Sequence, residues 1–245
     1  TVATPTVISG ALQDGKNAYH TMVVASASEG TVTLKGLTFT GGTPMLVNTA
    51  ALVETSPTTT TNNGFDIMDY RGGGLYLASA AHISSCLFRD NISTFHTNTS
   101  GTVGIGMYVA GKVNVSVENT TFRNNKGGSC GGAVYTHGSS SFRNSLFESN
   151  SSSHSGAVHN GGVINVDECV FRENTAKNGF AGALRHQGSR ATLTNSSFIR
   201  NTSTNHGGAI QNNRNQMTII NCAFEGNTSA ADGGAIANWG GGEMT

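Results

Sequence analysis

A tandem repeat of about 26 residues constrains this chain more than any other feature of its sequence. Each repeat carries two motifs in fixed order. The first is a Phe followed three residues later by Asn, at Phe88/Asn91, Phe122/Asn125, Phe147/Asn150, Phe171/Asn174, Phe198/Asn201 and Phe224/Asn227. The second is a Gly- and Ala-rich step into an aliphatic anchor, at Leu75, Met107, Val134, Val158, Leu184, Ile210 and Ile236. From Met107 onward the anchors lie 27, 24, 26, 26 and 26 residues apart. A fixed period in this range indicates stacked supersecondary units.

The spacing within one repeat predicts short strands. A mostly apolar residue lies five positions before each Phe and a small or apolar one two positions before it, which is the alternation of strands with one buried face. We therefore predict an all-β fold, a single right-handed parallel β-helix of about eight coils with three short strands per coil. Stacked coils lie about 4.8 Å apart. The Phe side chains then stack inside, and the Asn side chains form a hydrogen-bonded row at a tight turn.

We expect one solenoid rather than two domains, because the repeat runs without interruption. Residues 1–29 are predicted to form N-terminal entry strands. Residues 30–245 are predicted to form the β-helix, with an irregular excursion at 43–71 and an enlarged loop at 91–104. Since the last residues follow a fresh Gly-Gly-Ala-Ile step and include no atypical capping unit, we expect the chain to be part of a longer protein.

Composition argues against several classes of partner. Only 11% of the residues are charged and the formal net charge is zero, so the basic surface that nucleic-acid binding requires is absent. No stretch approaches the roughly 18 consecutive apolar residues of a membrane-spanning helix.

The four cysteines are predicted to be unpaired. Cys86, Cys169 and Cys222 share one inward position, two residues before the Phe, and no two of them belong to neighbouring coils. The closest pair is then nearly 10 Å apart, beyond the roughly 7 Å that a disulfide spans. We expect buried, inert thiols. Cys130, in a Gly-rich turn, has no evident partner, and a bridge to a segment outside this sequence or to another chain stays open.

Eight N-x-S/T sequons occur in the chain. Four of their Asn residues belong to the predicted turn row, where burial would make them poor glycan acceptors. The candidates for N-glycosylation are therefore Asn98, Asn114, Asn119 and Asn195. Asn98 is the best of these, because it lies on the enlarged loop.

The carboxylates do not suggest a catalytic pair. Asp167 and Glu168 are adjacent in a predicted strand, where they should point to opposite faces. Asp66 and Asp69 lie in the irregular excursion, where a solvated loop is the simpler interpretation. Hydrolysis of a glycosidic bond needs two convergent carboxylates, so we predict no enzymatic activity and no catalytic residues.

Charged residues and histidines suggest neither a metal site nor a cofactor. Arg123, Glu148 and Arg172 follow the Phe residues of successive coils and alternate in sign, which indicates a surface row of ion pairs. The eight His residues are scattered over different positions of the repeat. We therefore predict no metal and no cofactor.

One row of residues suggests a binding surface. The position after each anchor is occupied by Tyr76, Tyr108, Tyr135, His159, Arg185, Gln211 and Ala237. Because the anchors point inward, these side chains should point outward and form an exposed stripe on one flat sheet. Exposed aromatic residues and an Arg form a candidate binding stripe for a glycan or a protein partner. The alternative is cross-strand packing of surface side chains that bind nothing.

The Gly-Gly-Ala-aliphatic and Phe-x-x-Asn motifs resemble the two repeat motifs of the chlamydial polymorphic outer-membrane proteins. The segment GLTFTGG at Gly36–Gly42 is similar to the first coil of pectin-lyase-like right-handed β-helices. The resemblance covers roughly residues 30–240. It implies a β-helical, adhesive region of a surface protein.

We predict a non-enzymatic, extracellular or cell-surface module with a structural or adhesive role, a building block of a surface filament or spike. The alternative is a carbohydrate-active β-helix, a polysaccharide lyase or hydrolase, or a glycan-binding one. Expected partners are other copies or neighbouring domains, packed end to end or laterally, and glycans or a surface receptor.

Overall fold

The computed structural model describes residues 6–11, 19–25, 30–44, 59–62, 65–68, 71–93, 102–213, 215–240 and 242–245. All regular secondary structure in these ranges is β-strand. No helix among them is long and apolar enough to cross a membrane.

Most strands belong to three long parallel sheets and one short parallel sheet. The Phe sheet contains, in spatial order, β1 (Thr6–Ser9), β4 (Leu37–Thr40), β9 (Leu87–Arg89), β12 (Thr121–Arg123), β15 (Leu146–Glu148), β19 (Val170–Arg172), β23 (Ser197–Ile199) and β27 (Ala223–Glu225). The anchor sheet contains β2 (Met22–Val24), β7 (Leu75–Leu77), β10 (Met107–Val109), β13 (Val134–Thr136), β17 (Val158–Asn160), β21 (Leu184–His186), β25 (Ile210–Asn213) and β29 (Ile236–Trp239). The long-strand sheet contains β3 (Val32–Lys35), β8 (Ala81–Ser84), β11 (Asn114–Glu118), β14 (Ser139–Arg143), β18 (Val163–Asp167), β22 (Arg190–Thr194) and β26 (Gln216–Ile220). The short sheet contains β16 (Ser151–Ser152), β20 (Thr175–Ala176), β24 (Thr202–Ser203) and β28 (Thr228–Ser229).

The sheets confirm the predicted parallel β-helix. Neighbouring strands within each sheet come from successive repeats and pair in parallel, so that each residue lies beside its counterpart in the next coil. Each long sheet collects the strands that occupy one position of the repeat. The short sheet adds a strand of two residues after the turn Asn, because the chain stays extended there and pairs once more before it reaches the anchor step.

The N-terminal residues already contribute to the long sheets. Strand β1 pairs with β4, and β2 pairs with β7. The predicted excursion at 43–71 contains an antiparallel hairpin of β5 (Thr59–Asn62) and β6 (Phe65–Met68). Residues 94–101 of the enlarged loop lie outside the described residues.

Stacked aromatic rings form the centre of the core. Each Phe of the repeat lies over the Phe of the next coil, with ring centroids 4.4–4.9 Å apart and ring planes within 10° of parallel. Phe142 packs edge-on against Phe122 and Phe147 from the long-strand sheet. Burial of these rings removes a large apolar area from water, which is the main stabilisation available to a coil with so few charges.

The glycines of the anchor step are required by the close approach of stacked coils. A Cβ at Gly182 would lie 2.4 Å from the carbonyl oxygen of Gly208 and 2.6 Å from the amide nitrogen of Thr202. Both atoms belong to the backbone, which cannot move aside. The close packing of the stacked turns therefore requires the glycines of the Gly-Gly-Ala motif.

Candidate functional site

The turn asparagines form a continuous hydrogen-bonded row. Asn174 is typical: its Nδ2 donates to the Phe147 carbonyl (2.9 Å) and to Asn201 Oδ1 (2.9 Å). Its Oδ1 accepts from the backbone N–H and Nδ2 of Asn150, both at 3.0 Å. The same pattern links Asn91, Asn125, Asn150, Asn174, Asn201 and Asn227. These hydrogen bonds stabilise the corner of the coil. They also engage the side-chain amides of the buried sequon asparagines, which are therefore not accessible for glycosylation.

The other sequons lie in different environments. Asn114 is exposed at the start of β11. Asn119 and Asn195 are exposed at a turn, with φ of 50° and 49°. Their side chains belong to a second set of hydrogen-bonded Asn residues on the surface, in which Asn144 donates to Asn119 (2.7 Å) and Asn221 donates to Asn195 (2.8 Å). Asn98 lies outside the described residues. Asn114 is thus the accessible sequon that neither set of asparagines engages.

Three cysteines occupy one interior position. Cys86 and Cys169 are buried, Cys222 is half-buried, and all are free thiols. Each thiol donates to the carbonyl two residues before it, as the Ser145 hydroxyl does at the same position of another coil. Burial raises the pKa of Cys169 to about 11, so it stays protonated and unreactive at neutral pH.

The predicted ion-pair row is present on the surface. Glu148 lies 2.5 Å from Arg172 and 3.5 Å from Arg123, the residues at the same position of the next and preceding coils. The prediction for Asp167 and Glu168 was wrong. Both carboxylates reach the Arg143 guanidinium, at 3.8 Å and 3.3 Å, because Glu168 has a φ of 53° and turns its side chain back. The pair is partly exposed and bound to a cation.

A metal site does not emerge from the described residues. Among them, no three His, Cys, Asp or Glu side chains lie close enough to hold a metal ion. Asp66 belongs to β6, where side chains are not described, and Asp69 lies outside the described residues.

The predicted stripe on the anchor sheet is in register but buried. Tyr76, Tyr108, Tyr135, His159, Arg185 and Gln211 are consecutive partners in the sheet. Neighbouring rings are 4.5–6.0 Å apart. Tyr76, Tyr108 and His159 are each only 3% exposed, and Tyr135 and Arg185 are half-buried. The expectation of an exposed flat stripe was therefore wrong.

A second layer of residues covers the stripe. The residues four positions before the anchors from Leu75 to Ile210 lie on the outside of the anchor sheet, and we call them the outer row: Arg71, Val103, Cys130, His154, Phe180 and His206. Val103 packs with Tyr76 and Tyr108 in a small apolar cluster separate from the main core. Phe180 lies between the rings of His154 (5.4 Å) and His206 (5.3 Å), both nearly parallel to it. The stripe side chains do point away from the main core, but the chain entering each anchor strand folds over them.

A cleft opens in this covering layer beside Arg185. It has a volume of about 280 Å³ and lies between the outer row and the stripe. Its lining comprises Val103, Ser129, Cys130, Tyr135, His154, His159, Phe180, Arg185 and Gln187. Gln187 is exposed and His159 is buried, so the cleft runs from solvent to the sheet surface. We call it the Arg185 cleft.

Arg185 is held rigidly at the wall of the cleft. Its guanidinium carbon lies 4.0 Å from the centre of the Phe180 ring, within the range of a cation–π contact. Its Nε donates to Gln211 Oε1 at 3.1 Å, and the Cys130 thiol lies beside the guanidinium. These contacts fix the orientation of the cation without neutralising it.

The other titratable groups of the cleft are neutral at pH 7. Burial raises the pKa of the Tyr135 phenol to about 12 and also raises the pKa of the Cys130 thiol. Burial lowers the pKa of His154 and lowers that of His159 further, where the charge of Arg185 adds to the effect. The cleft therefore carries the single positive charge of Arg185.

The outer row was missed in the sequence because its members differ in chemistry. An Arg, a Val, a Cys, two His and a Phe share neither polarity nor size, so no motif is visible. The signal was a positional one, since every member stands four residues before an anchor. Cys130, His154 and Phe180 could have been found by aligning the repeats on the anchors rather than on the Phe.

Comparison with known families identifies the repeats. The model of the Chlamydia polymorphic membrane protein repeat matches residues 119–137, 195–213 and 221–238. Each matched segment begins at an Asn with positive φ (Asn119, Asn195, Asn221) and ends within or just after an anchor strand. The predicted resemblance to chlamydial polymorphic membrane protein repeats is confirmed for these segments. No curated protein and no solved structure matches the chain significantly.

Proposed function

We propose that this protein is a rigid structural module of a cell surface, a β-helical rod that holds adhesive surfaces at a fixed spacing. Two findings support a surface-associated β-helix: the matched repeats are those of a membrane-protein family, and the sheets stack in parallel. The matched family is one of surface proteins rather than of known enzymes. The structural and adhesive roles are our inference.

The observation that carries this proposal is the unbroken buried Asn row. From Asn91 to Asn201, each side-chain amide donates to the Asn of the next coil and to a backbone carbonyl. The half-buried Asn227 accepts the last of these bonds and donates to the Phe198 carbonyl. Cooperative rows of this kind resist bending at the corner of the coil, since every amide is already satisfied. Rigidity along the axis is what a surface spacer requires.

Surface location can be tested on intact cells of the organism that produces the chain. An antibody raised against the folded protein should label intact cells to the same extent as permeabilised ones. Labelling that appears only after permeabilisation would contradict the proposal. An antibody against a cytoplasmic protein of the same cells is the control for membrane integrity.

End-to-end packing with other copies or neighbouring domains is part of the same proposal. Neighbouring coils of this chain already pair in register through their main chains, and stacked copies would repeat the same contact. Light scattering across a hundredfold range of protein concentration should show association. A constant monomer mass would exclude packing between copies.

We also propose that the chain has no catalytic activity. The adjacent carboxylates Asp167 and Glu168 lie close together, but both form ion pairs with Arg143. A reducing-sugar assay on a panel of acidic and neutral polysaccharides should show no release. Release that is lost in the Asp167→Asn variant would instead establish a polysaccharide hydrolase or lyase.

A further inference from the structure

We propose that the Arg185 cleft binds the carboxylate of an acidic sugar. This site is independent of the scaffold role proposed above, and it would give the rod a specific ligand. Three features of the cleft support this proposal: the unpaired charge of Arg185, the size of the cleft and the chemistry of its walls.

The positive charge of Arg185 would be stabilised by a bound anion. In the part of the chain that the structure describes, no carboxylate forms an ion pair with this residue. Its partners are a neutral amide, an aromatic ring and a neutral thiol. A half-buried cation without a counter-ion is unfavourable, so a bound anion would stabilise the site.

The anion is best matched by a carboxylate. A guanidinium presents planar N–H groups that fit the two oxygens of a carboxylate, and one such pair brings the charge of the cleft to zero. A doubly charged phosphate would leave an excess negative charge in a cleft with one cation. Since Cys130 stays protonated, it can donate to the anion but cannot replace it.

The rest of the cleft fits a sugar ring. Its volume of about 280 Å³ exceeds what a carboxylate group alone fills. Tyr135 and Phe180 provide aromatic surface, while Ser129, His154 and Gln187 provide hydrogen-bonding groups. The Nδ1–H of His154 donates to the Ser129 carbonyl at 3.1 Å, which leaves the neutral Nε2 as an acceptor for a sugar hydroxyl. Binding sites that combine apolar walls with a few polar groups are typical of small-molecule ligands.

The test is calorimetric titration of the whole chain with sodium D-glucuronate. D-Glucose, which lacks the carboxylate, and sodium acetate, which lacks the ring, are the ligand controls. We expect binding of glucuronate, and at least about tenfold weaker binding of both controls. No binding of glucuronate at millimolar concentration would overturn the proposal. Equal affinity for acetate would overturn the assignment of a sugar.

Two variants locate the site. Arg185→Gln should weaken glucuronate binding at least about tenfold, since it removes the charged pair. Gln already occupies the equivalent position of the next coil, at Gln211, so the fold should accept the change. Arg190→Gln is the matched control, because Arg190 is exposed on the long-strand sheet, and it should bind as the unmodified protein does. Equal binding by the Arg185 variant would place the ligand elsewhere.

A measurement on the unmodified chain removes any dependence on variant folding. Phenylglyoxal modifies accessible arginines, and mass spectrometry reports the rate at each site. Glucuronate should slow the modification of Arg185 and leave that of Arg190 unchanged. Equal rates at Arg185 with and without saturating glucuronate would overturn the proposal.

Discussion

At the scale of single residues, the corner asparagines show how one side chain can specify a turn. Asn174 makes two donor and two acceptor contacts, and its own backbone N–H donates to Asn201. No other side chain carries both an N–H₂ donor and an oxygen acceptor at this length. The sequence motif Phe-x-x-Asn therefore reflects a hydrogen-bonding requirement at a buried corner.

Replacement of Asn174 by Ala should lower the free energy of unfolding by about 2–4 kcal/mol, because the Asn150 N–H and the Phe147 carbonyl lose buried partners. Denaturant unfolding followed by circular dichroism measures the change. The control is Asn165→Ala on the exposed face of β18, which should cost less than about 0.5 kcal/mol. Equal effects of the two variants would refute the role of the row.

Gly182 gives a second prediction at this scale. Its replacement by Ala should cost more than about 3 kcal/mol or prevent folding, since the new Cβ would overlap the backbone of the next coil. Gly111 is the matched control, because a Cβ there has no atom within 4 Å. Gly111→Ala should change stability by less than about 1 kcal/mol. Thermal unfolding measures the stability of both variants. A loss of stability at Gly182 as small as that at Gly111 would contradict the close packing of the coils at this position.

At the scale of the elements, the anchor sheet differs from the other long sheets in being covered on both faces. Strands β7, β10 and β17 are buried at every residue, whereas β11 and β14 of the long-strand sheet alternate buried and more exposed positions. The inner face packs on the Phe core, and the outer face lies under the outer row. Polar side chains such as His159 and His186 are consequently enclosed, which makes the sheet sensitive to acid.

His186 should weaken the fold as the pH falls. It is completely buried and bonded to Asn160 (2.8 Å), and burial lowers its pKa to about 4. Because the unfolded chain takes up a proton near pH 6.5 and the folded chain only near pH 4, stability is lost as the pH falls between these values. The loss from this residue is at most about 3 kcal/mol.

The His186→Asn variant tests this assignment, since Asn160 and Asn212 occupy the same position in the adjacent coils. Urea unfolding at pH 7, 6, 5 and 4 should show a shallower pH dependence than the unmodified chain. Some dependence should persist, because His159 is also buried and its pKa is shifted in the same direction. His82→Asn, at an exposed position of β8, is the control for the His-to-Asn replacement itself and should leave the fold intact at pH 7. An unaltered slope in the His186 variant would contradict the assignment.

At the scale of the whole molecule, stability is a sum of contacts between neighbouring coils. Each coil contacts those before and after it in register, so an interior coil has two stacked neighbours. Phe171 stacks on Phe147 and Phe198, while Phe224 stacks on Phe198 alone among the described residues and is half-buried.

Substitution of Phe by Leu should therefore depend on position along the rod. We expect Phe171→Leu to cost about 1–3 kcal/mol and Phe224→Leu less than half of that, because only one ring contact is lost at the second site. Calorimetric unfolding of both variants measures the difference. Equal costs would show that the stacked rings do not act as nearest-neighbour terms.

The repeat predicted much of this architecture and little of its outer surface. Phe88, Asn91 and Cys86 were placed correctly, because a fixed period puts identical positions beside each other in a stack. Tyr108 was misplaced as exposed, since alternation along a strand shows which side a residue faces and not what lies over that side. Glu168 was misplaced because a positive φ at the strand end is a local departure from alternation.

The amino-acid sequence by itself determined the parallel β-helix, its register and the residues of its core, because stacking multiplies one local pattern along the whole rod. Only the tertiary structure decided that the chain before each anchor folds back over the stripe and encloses the Arg185 cleft. The path of that segment depends on contacts between residues of unlike chemistry, such as Phe180 with Arg185 in its own coil and with His206 in the next coil. Such contacts have no repeating pattern of residue type, so they become visible only when the coils are stacked in three dimensions.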